Sequence, residues 1–384
     1  MSRVAYTGAR IFDGQLWWER SALVVADGKV EGIIAADSPT DAPRVSLGGG
    51  MLVPGFIDLQ VNGGGGALLN LTPDVPTIAT ICSAFAQFGT TACLPTMITD
   101  TPAKIAAAIV AGEAAAAQGV LGFLGLHLEG PHLSVVRKGA HDTALIRPME
   151  EADLVALVGA RKHLPSLLIT VAAETVTPNQ ITRLRDAGIV VSIGHSDASY
   201  AMVKAAVDAG ATMVTHLFNA QRQIGNRDPG VVGAALDIGA LSAGLIADGI
   251  HVDAASIGIA LRAKRGPGHI FLVTDAMSPT GTDAMSFDLT GRTVYRRDGA
   301  LRLADGTLAG ADLTMIDAVT YVHKTLGLPL DEALRMASRY PADVLGVGNE
   351  RGSFVPGLRA DLVHLSDDLA MRRTIIGGET AWAA

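Results

Sequence analysis

Eight short apolar runs, each closed by a polar or glycine-bearing turn, constrain this chain more than any other feature. They are GFIDLQ (55–60), TTACLPT (90–96), LGLHLE (124–129), LLITVAAE (167–174), IVVSIGH (189–195), TMVTHLF (212–218), AGLIADG (243–249) and IFLVTD (270–275). Most are continuously apolar rather than alternating, the pattern of parallel strands buried on both faces. The segments between them read as helices. PNQITRLRDAG (178–188) opens on Pro and closes on Gly. DASYAMVKAAVDAG (197–210) has an Asp to cap it and a Gly to stop it, and HVDAASIGIALRAKRG (251–266) ends in basic residues and Gly, all start-and-stop signals of helices. Eight strand–helix units predict the α/β class and a (β/α)8 TIM barrel. A doubly wound sheet is the competing architecture. It would need only some of the strands and a glycine fingerprint after the first, for which GGGG at 63–66 is weak support.

The two ends follow another pattern. Residues 1–53 hold short alternating runs such as VAYTGARIF and ALVVADGKVEGII, with turn signals such as Asp27-Gly28 between them, and residues 346–384 repeat the pattern. Neither end could bury a sheet face alone, so one small β-sandwich built from both termini is expected beside a barrel over 54–345. A β-rich insertion at 286–310 follows the eighth run. The net charge of −8 argues against a general nucleic-acid or anionic-membrane binder. The most apolar stretch, roughly 103–126, is broken by Lys104, Glu113, Gln118 and glycines, too often for a membrane span. Cys82 and Cys93, the two cysteines, lie in apolar surroundings, and MSRVAYTGARIFDG lacks the order of a signal peptide. The expected compartment is the reducing cytoplasm.

The polar residues cluster at the C-terminal ends of the runs: Gln60 and Asn62, Glu129, Glu174, His195, His216, His251 and Asp275. In a barrel these ends converge on one face. A single histidine beside a strand is more often a hydrogen-bonded core residue. Two imidazoles and a carboxylate from three strands, Glu129, His195 and His216, instead make a three-ligand set with an open position, the pattern of a catalytic zinc-type site. Such a metal lowers the pKa of its bound water to roughly 7. Asp275 on the last strand is placed to act as general base and then as acid. His127, two residues before Glu129, shares its inward face one layer deeper and is expected to hydrogen-bond in the core. Glu174 is expected to support the centre from outside the ligand set.

The motifs PGFIDLQVNGGGG (54–66), GLHLEGPHLSVVRKGAH (125–141), IGHSDA (193–198), THLFNA (215–220), RDPGVVG (227–233), ADGIHVD (247–253), LVTDAMSPTG (272–281) and GTLAGADLTMIDAV (306–319) occur in order along nearly the whole chain. In them the chain resembles the N-acetylglucosamine-6-phosphate deacetylases of the amidohydrolase superfamily. The resemblance implies hydrolysis of N-acetyl-D-glucosamine 6-phosphate to D-glucosamine 6-phosphate and acetate, with Glu129, His195 and His216 on the metal and Asp275 as base and acid. It implies substrate contacts from Ala140 and His141, from Asn219 and Ala220, from the turn holding Asp248 and His251, and from Leu308, Ala309 and Gly310. It also implies that Arg227 and His251 bind the phosphate, with Arg227 reaching across a homodimer interface.

Many amidohydrolases end the first strand in His-x-His, whereas this chain has Gln60 and Asn62 there. Neutral amides are weak ligands, so one firmly held metal per subunit is expected, with Gln60 and Asn62 as barrel-mouth or second-metal positions. Zinc leads the expectation, while Fe, Mn and Co suit the same donors. Two competing readings remain at this stage. In one the barrel hydrolyses a different amide, which would have no use for a phosphate clamp. In the other it binds a sugar phosphate without catalysis, which would not require Asp275.

Overall fold

The computed structural model describes residues 3–384; residues 1 and 2 of the expected 1–53 segment lie outside the described residues. The eight runs form eight parallel strands: β1 (Phe56–Val61), β2 (Thr90–Ile98), β3 (Leu126–Glu129), β4 (Leu167–Val171), β5 (Val190–Ile193), β6 (Met213–Val214), β7 (Ser242–Leu245) and β8 (Ile270–Leu272). Each pairs with its sequence neighbour from β1 through to β8. That order is a nearly closed (β/α)8 barrel, and it excludes the doubly wound sheet, whose strand order must reverse at a switch point. The glycines at 63–66 feed a two-stranded hairpin, Gly63–Gly64 against Ala67–Leu68, in place of a phosphate loop. The last gap closes above β8, where Asp275 N donates to Gln60 O at 3.0 Å and Asn62 N to Ala276 O at 2.9 Å.

Helices end where their sequences say they should. Thr177 and Gln180 form a capping box with Pro178 at the first helical position of Pro178–Asp186. Asp253 caps Ala254–Ala263. The helix expected to be capped by Asp197 begins later, at Tyr200, with Ser199 accepting from Met202 N. Asp197 instead pairs with Arg137 at 2.8 Å, so an ion pair near the barrel mouth takes the carboxylate that the cap would have used.

Four N-terminal strands, Arg3–Thr7, Ser21–Ala26, Lys29–Ala35 and Arg44–Ser46, make one terminal sheet. A six-stranded sheet mixes both ends of the chain, joined where Leu362–Leu365 runs antiparallel to Met51–Pro54. Leu23, Val25, Leu52, Leu362 and Ile375 pack between the two sheets. Met51–Pro54 leads directly into β1, so the sandwich is anchored at the start of the barrel. The insertion forms a three-stranded antiparallel sheet from Ser286 to Leu303.

Inside the barrel a polar layer lies beneath the mouth. His127 Nε2 is 2.7 Å from Thr170 Oγ1, which is 2.7 Å from Thr215 Oγ1, itself 2.5 Å from Ser192 Oγ. Burial holds the His127 imidazole down at about 4, so the ring is neutral and each partner is satisfied by a hydroxyl. The two-residue step from His127 to Glu129 carries β3 from this layer to the mouth. Its starting point depends on Gly125, whose φ is +137° and where a Cβ would overlap the Ser166 carbonyl. Gly125→Ala is expected to destabilise the fold by on the order of 2 kcal/mol, read as a lowered denaturant midpoint; an unchanged midpoint would show that β3 can shift at no cost.

Candidate metal centre

Glu129, at the end of β3, is 2% exposed, and its Oε1 lies 3.1 Å from His195 Nε2 and 3.0 Å from His216 Nε2. The two imidazole nitrogens are 3.1 Å apart. Ligands at about 2.0–2.1 Å from a tetrahedral zinc stand about 3.3 Å from one another, so these three atoms fit around one cation with little movement. His195 is oriented from behind: its Nδ1 donates to Arg137 O at 2.8 Å, which aims Nε2 at Glu129. A buried Glu/His/His cluster suited to a divalent metal is therefore present. His141 is a fourth donor at its edge. One ligand atom each from Glu129, His141 and His195 lies within 4.8 Å of the others. His141 Nε2 stands 3.9 Å from Glu129 Oε2, and its Nδ1 is engaged with Thr99 Oγ1 at 2.8 Å. His216 Nε2 stands closer to Glu129, at 3.0 Å, than His141 Nε2 does.

Burial pushes the Glu129 carboxyl up, but hydrogen bonds and charge from His195 and His216 overcome it and hold Glu129 well below the usual carboxylate range. Asp275 goes the other way. Burial, then the Glu129 charge, pushes it up to about 6. Burial, helped by the neighbouring His195 charge, pulls His141 down to about 3, so its ring is neutral.

Gln60 Nε2 donates to Glu129 Oε1 and to Asp275 Oδ1, both at 3.1 Å, and Asn62 Nδ2 donates to Asp275 Oδ1 at 2.6 Å. Both amides thus turn their N–H groups toward the carboxylates, while Gln60 Oε1 and Asn62 Oδ1 are buried without a partner. One oxygen of Asp275, Oδ1, is pinned by two donors. The backbone here is strained. His195, His216 and Asp275 have φ of +47°, +27° and +51°, a region that costs a non-glycine residue about 1 kcal/mol or more.

A cavity of about 480 Å³ opens above this cluster. Its wall brings together Asn62, Glu129, His195, His216 and Asp275 with Ala140 and His141, Asn219 and Ala220, His251, and Leu308, Ala309 and Gly310. Gln60 sits just behind this wall. Asp248 is set back as well, and its Oδ2 holds His251 Nδ1 at 2.6 Å. Glu174 reaches Ser196 Oγ and Asp197 N, at 2.6 and 2.7 Å, and so props the loop after His195. Arg227 lies elsewhere, exposed on a separate depression with Tyr200 and Asp237. Sequence reasoning missed Arg137, whose carbonyl orients His195, and Thr99, which orients His141. A main-chain carbonyl carries no residue-type signal, but Thr99 just beyond the second apolar run could have been noticed. It also missed the insertion's share of the wall through Leu289, Arg302 and Thr307.

Comparison with known proteins places this geometry in a wider set. The pattern of the Amidohydrolase family matches residues 51–381. The chain is 42% identical to an N-acetylgalactosamine-6-phosphate deacetylase of Shewanella sp. (strain ANA-3), covering 98% of this chain and 95% of that one. It superposes on N-acetylglucosamine-6-phosphate deacetylase from Pasteurella multocida with a TM-score of 0.95 and 37% identity over the full length of both chains. It superposes on an aspartate-to-alanine variant of the Mycobacterium smegmatis enzyme in complex with N-acetyl-D-glucosamine 6-phosphate with a TM-score of 0.91 and 31% identity, covering 99% of this chain and 100% of that one. No helix among the described residues is long and apolar enough to cross a membrane.

A divalent cation that fits the cluster should stabilise the fold. Adding zinc to metal-stripped protein at about one hundred times its dissociation constant is expected to contribute about 2.7 kcal/mol, seen as a Tm increase of several degrees that Glu129→Gln removes. An equal shift in the Glu129→Gln protein would place the cation elsewhere.

Proposed function

The chain belongs to the amidohydrolase family, and we propose that it deacetylates N-acetyl-D-glucosamine 6-phosphate, giving D-glucosamine 6-phosphate and acetate. The observation that carries this reading is the Asp275 carboxylate held beside the Glu129, His195 and His216 cluster by Gln60 and Asn62, in a chain aligned end to end with deacetylases of hexosamine 6-phosphates. An amide is a poor electrophile with a poor leaving group. A divalent metal held by Glu129, His195 and His216, zinc first among Zn, Fe, Mn and Co, would polarise the amide carbonyl and acidify a water. Asp275 Oδ2 takes the proton from the attacking water and delivers it to the departing amine nitrogen. Its raised pKa, about 6, suits a group that must both accept and release a proton near neutrality. His141, neutral and fixed by Thr99, faces the acetamido group.

The sugar lies against Ala140, Asn219, Ala220 and the Leu308–Gly310 stretch, with His251 near the phosphate and Asp248 orienting His251. Arg227 stands off its own subunit's cavity, which supports its service to the phosphate site of a second copy in a homodimer. Gln60 and Asn62 act as hydrogen-bond donors to the carboxylates, in keeping with one metal per subunit. The unit that carries this chemistry is residues 54–345, with residues 1–53 and 346–384 as its sandwich and 286–310 as a cover. The compartment is the cytoplasm, where Cys82 and Cys93 stay reduced.

The 42% identity to a deacetylase of N-acetylgalactosamine 6-phosphate favours a second reading in which the sugar differs only in its C4 configuration. Acetate release from both hexosamine 6-phosphates by the purified protein separates the two. Asp275→Asn is expected to lower kcat by about 10²–10⁴ with metal content unchanged. Near-normal turnover in that variant would remove Asp275 from proton transfer. Arg227→Ala should raise KM for the phosphorylated sugar about 10- to 100-fold, the loss of one charge-assisted contact of about 1.5–3 kcal/mol. Equal turnover of the unphosphorylated sugar by wild-type protein would contradict the phosphate clamp.

A further inference from the structure

The geometry points to Asp58 as the residue that positions Asp275, a role that rests on Asp275 being the acid and base of the proposed reaction. Asp58 lies on β1, is 0% exposed and has no cationic partner among the described residues. Its carboxylate spans the place where the barrel ladder is missing. Oδ1 accepts from Gln60 N and from Thr274 N, both at 3.2 Å, and Oδ2 accepts from Thr274 Oγ1 at 2.5 Å. β8 ends at Leu272 and forms no ladder with β1, so Thr274 N has no strand carbonyl to bond. The Asp58 side chain does the work of that strand partner.

The consequence falls on the next residue. Asp275 follows Thr274 in the left-handed region, at φ +51°, and left-handed aspartate relaxes unless the chain on both sides is fixed. On its N-terminal side two groups fix it: Gln60 O, which accepts from Asp275 N at 3.0 Å, and Asp58, through Thr274. On the other side Asp275 O accepts from Ala311 N at 2.8 Å. The Asp58 grip also includes Gln60 N, and Gln60 is one of the two amides that pin Asp275 Oδ1. One buried carboxylate therefore sets both the backbone that carries the base and a side chain that orients it. A core hydrophobe in its place would leave two main-chain N–H groups buried without acceptors, which is a strong reason for an ionisable residue in an otherwise apolar strand.

The test compares wild type with Asp58→Asn and Thr274→Val, two near-isosteric changes that break the charge-assisted Oγ1–H···Oδ2 bond from opposite sides. In Asp58→Asn the remaining oxygen still serves the main-chain N–H groups, so the barrel closes, but the threonine hydroxyl exchanges its carboxylate acceptor for the more distant Gln60 O at 3.4 Å. Both variants are expected to lose kcat about 10-fold or more, with KM within about twofold and metal content unchanged. In their crystal structures Asp275 is expected to leave its 2.6 Å contact with Asn62. A purely structural role predicts something else: a lower Tm, Asp275 in place, and wild-type kcat per folded molecule. Either Asp275 in its original position with wild-type kcat, or an equal loss through KM, overturns the inference. Wild-type protein that releases no acetate counts against the proposed reaction alone, because the position of Asp275 in the variant crystals still decides the role of Asp58.

Discussion

A carboxylate withdrawn almost wholly from water is tolerated only where donors or cations surround it, and Glu129 is the case on which this structure turns. Its Oε1 gathers His195, His216 and the Gln60 amide within 3.1 Å. None of these four residues is near another of them in sequence apart from the two histidines, and each arrives at the end of a different strand. The barrel supplies that convergence, because closing eight parallel strands brings their C-terminal ends to one rim. Removing any of the donors would leave the buried charge with less compensation. The cluster and the closure of the barrel therefore depend on each other.

The strain at the rim follows from the same arrangement. His195, His216 and Asp275 turn inward through left-handed backbone, since a strand continuing straight would carry their side chains past the mouth. What holds each in place is a group outside the cluster. The Arg137 carbonyl fixes the His195 ring, Glu174 braces the Ser196–Asp197 turn, and Ala311 and Gln60 take the main chain of Asp275. Of these supports Gln60 lies on β1, Arg137 ends the one-turn helix Val135–Arg137, and Glu174 sits in a turn.

Much of this was legible in the letters. Most of the eight runs are continuously apolar because the strands are buried on both faces, and the polar residues that end most of them mark the rim. The spacing of His127 and Glu129 placed one in the barrel interior and the other at the mouth. Of the terminal strands, Lys29–Ala35 keeps much of its length open to solvent, whereas Ser21–Ala26, Met51–Pro54 and Leu362–Leu365 are buried along almost all of theirs. What could not be read depended on distance in space without a residue-type signal. Asp58 reads as one polar residue inside an apolar run, and nothing in sequence ties it to Thr274. The cap at Ser199 was obscured because Asp197 is the stronger capping residue until Arg137 is seen to claim it. Arg227 follows the sixth run in sequence and lines a depression separate from the cavity above the cluster. His141 sits in a loop, so its approach to Glu129 follows from tertiary packing alone.

The central claim is that one cation is shared by three strands, and anomalous diffraction at the zinc edge from zinc-loaded crystals tests it most directly. The account predicts a single strong peak per subunit, about 2.0–2.2 Å from a Glu129 carboxylate oxygen and from the Nε2 atoms of His195 and His216, with Gln60 and Asn62 outside its coordination. A peak bound by His141 with His216 left out, or no peak at the rim, would contradict it.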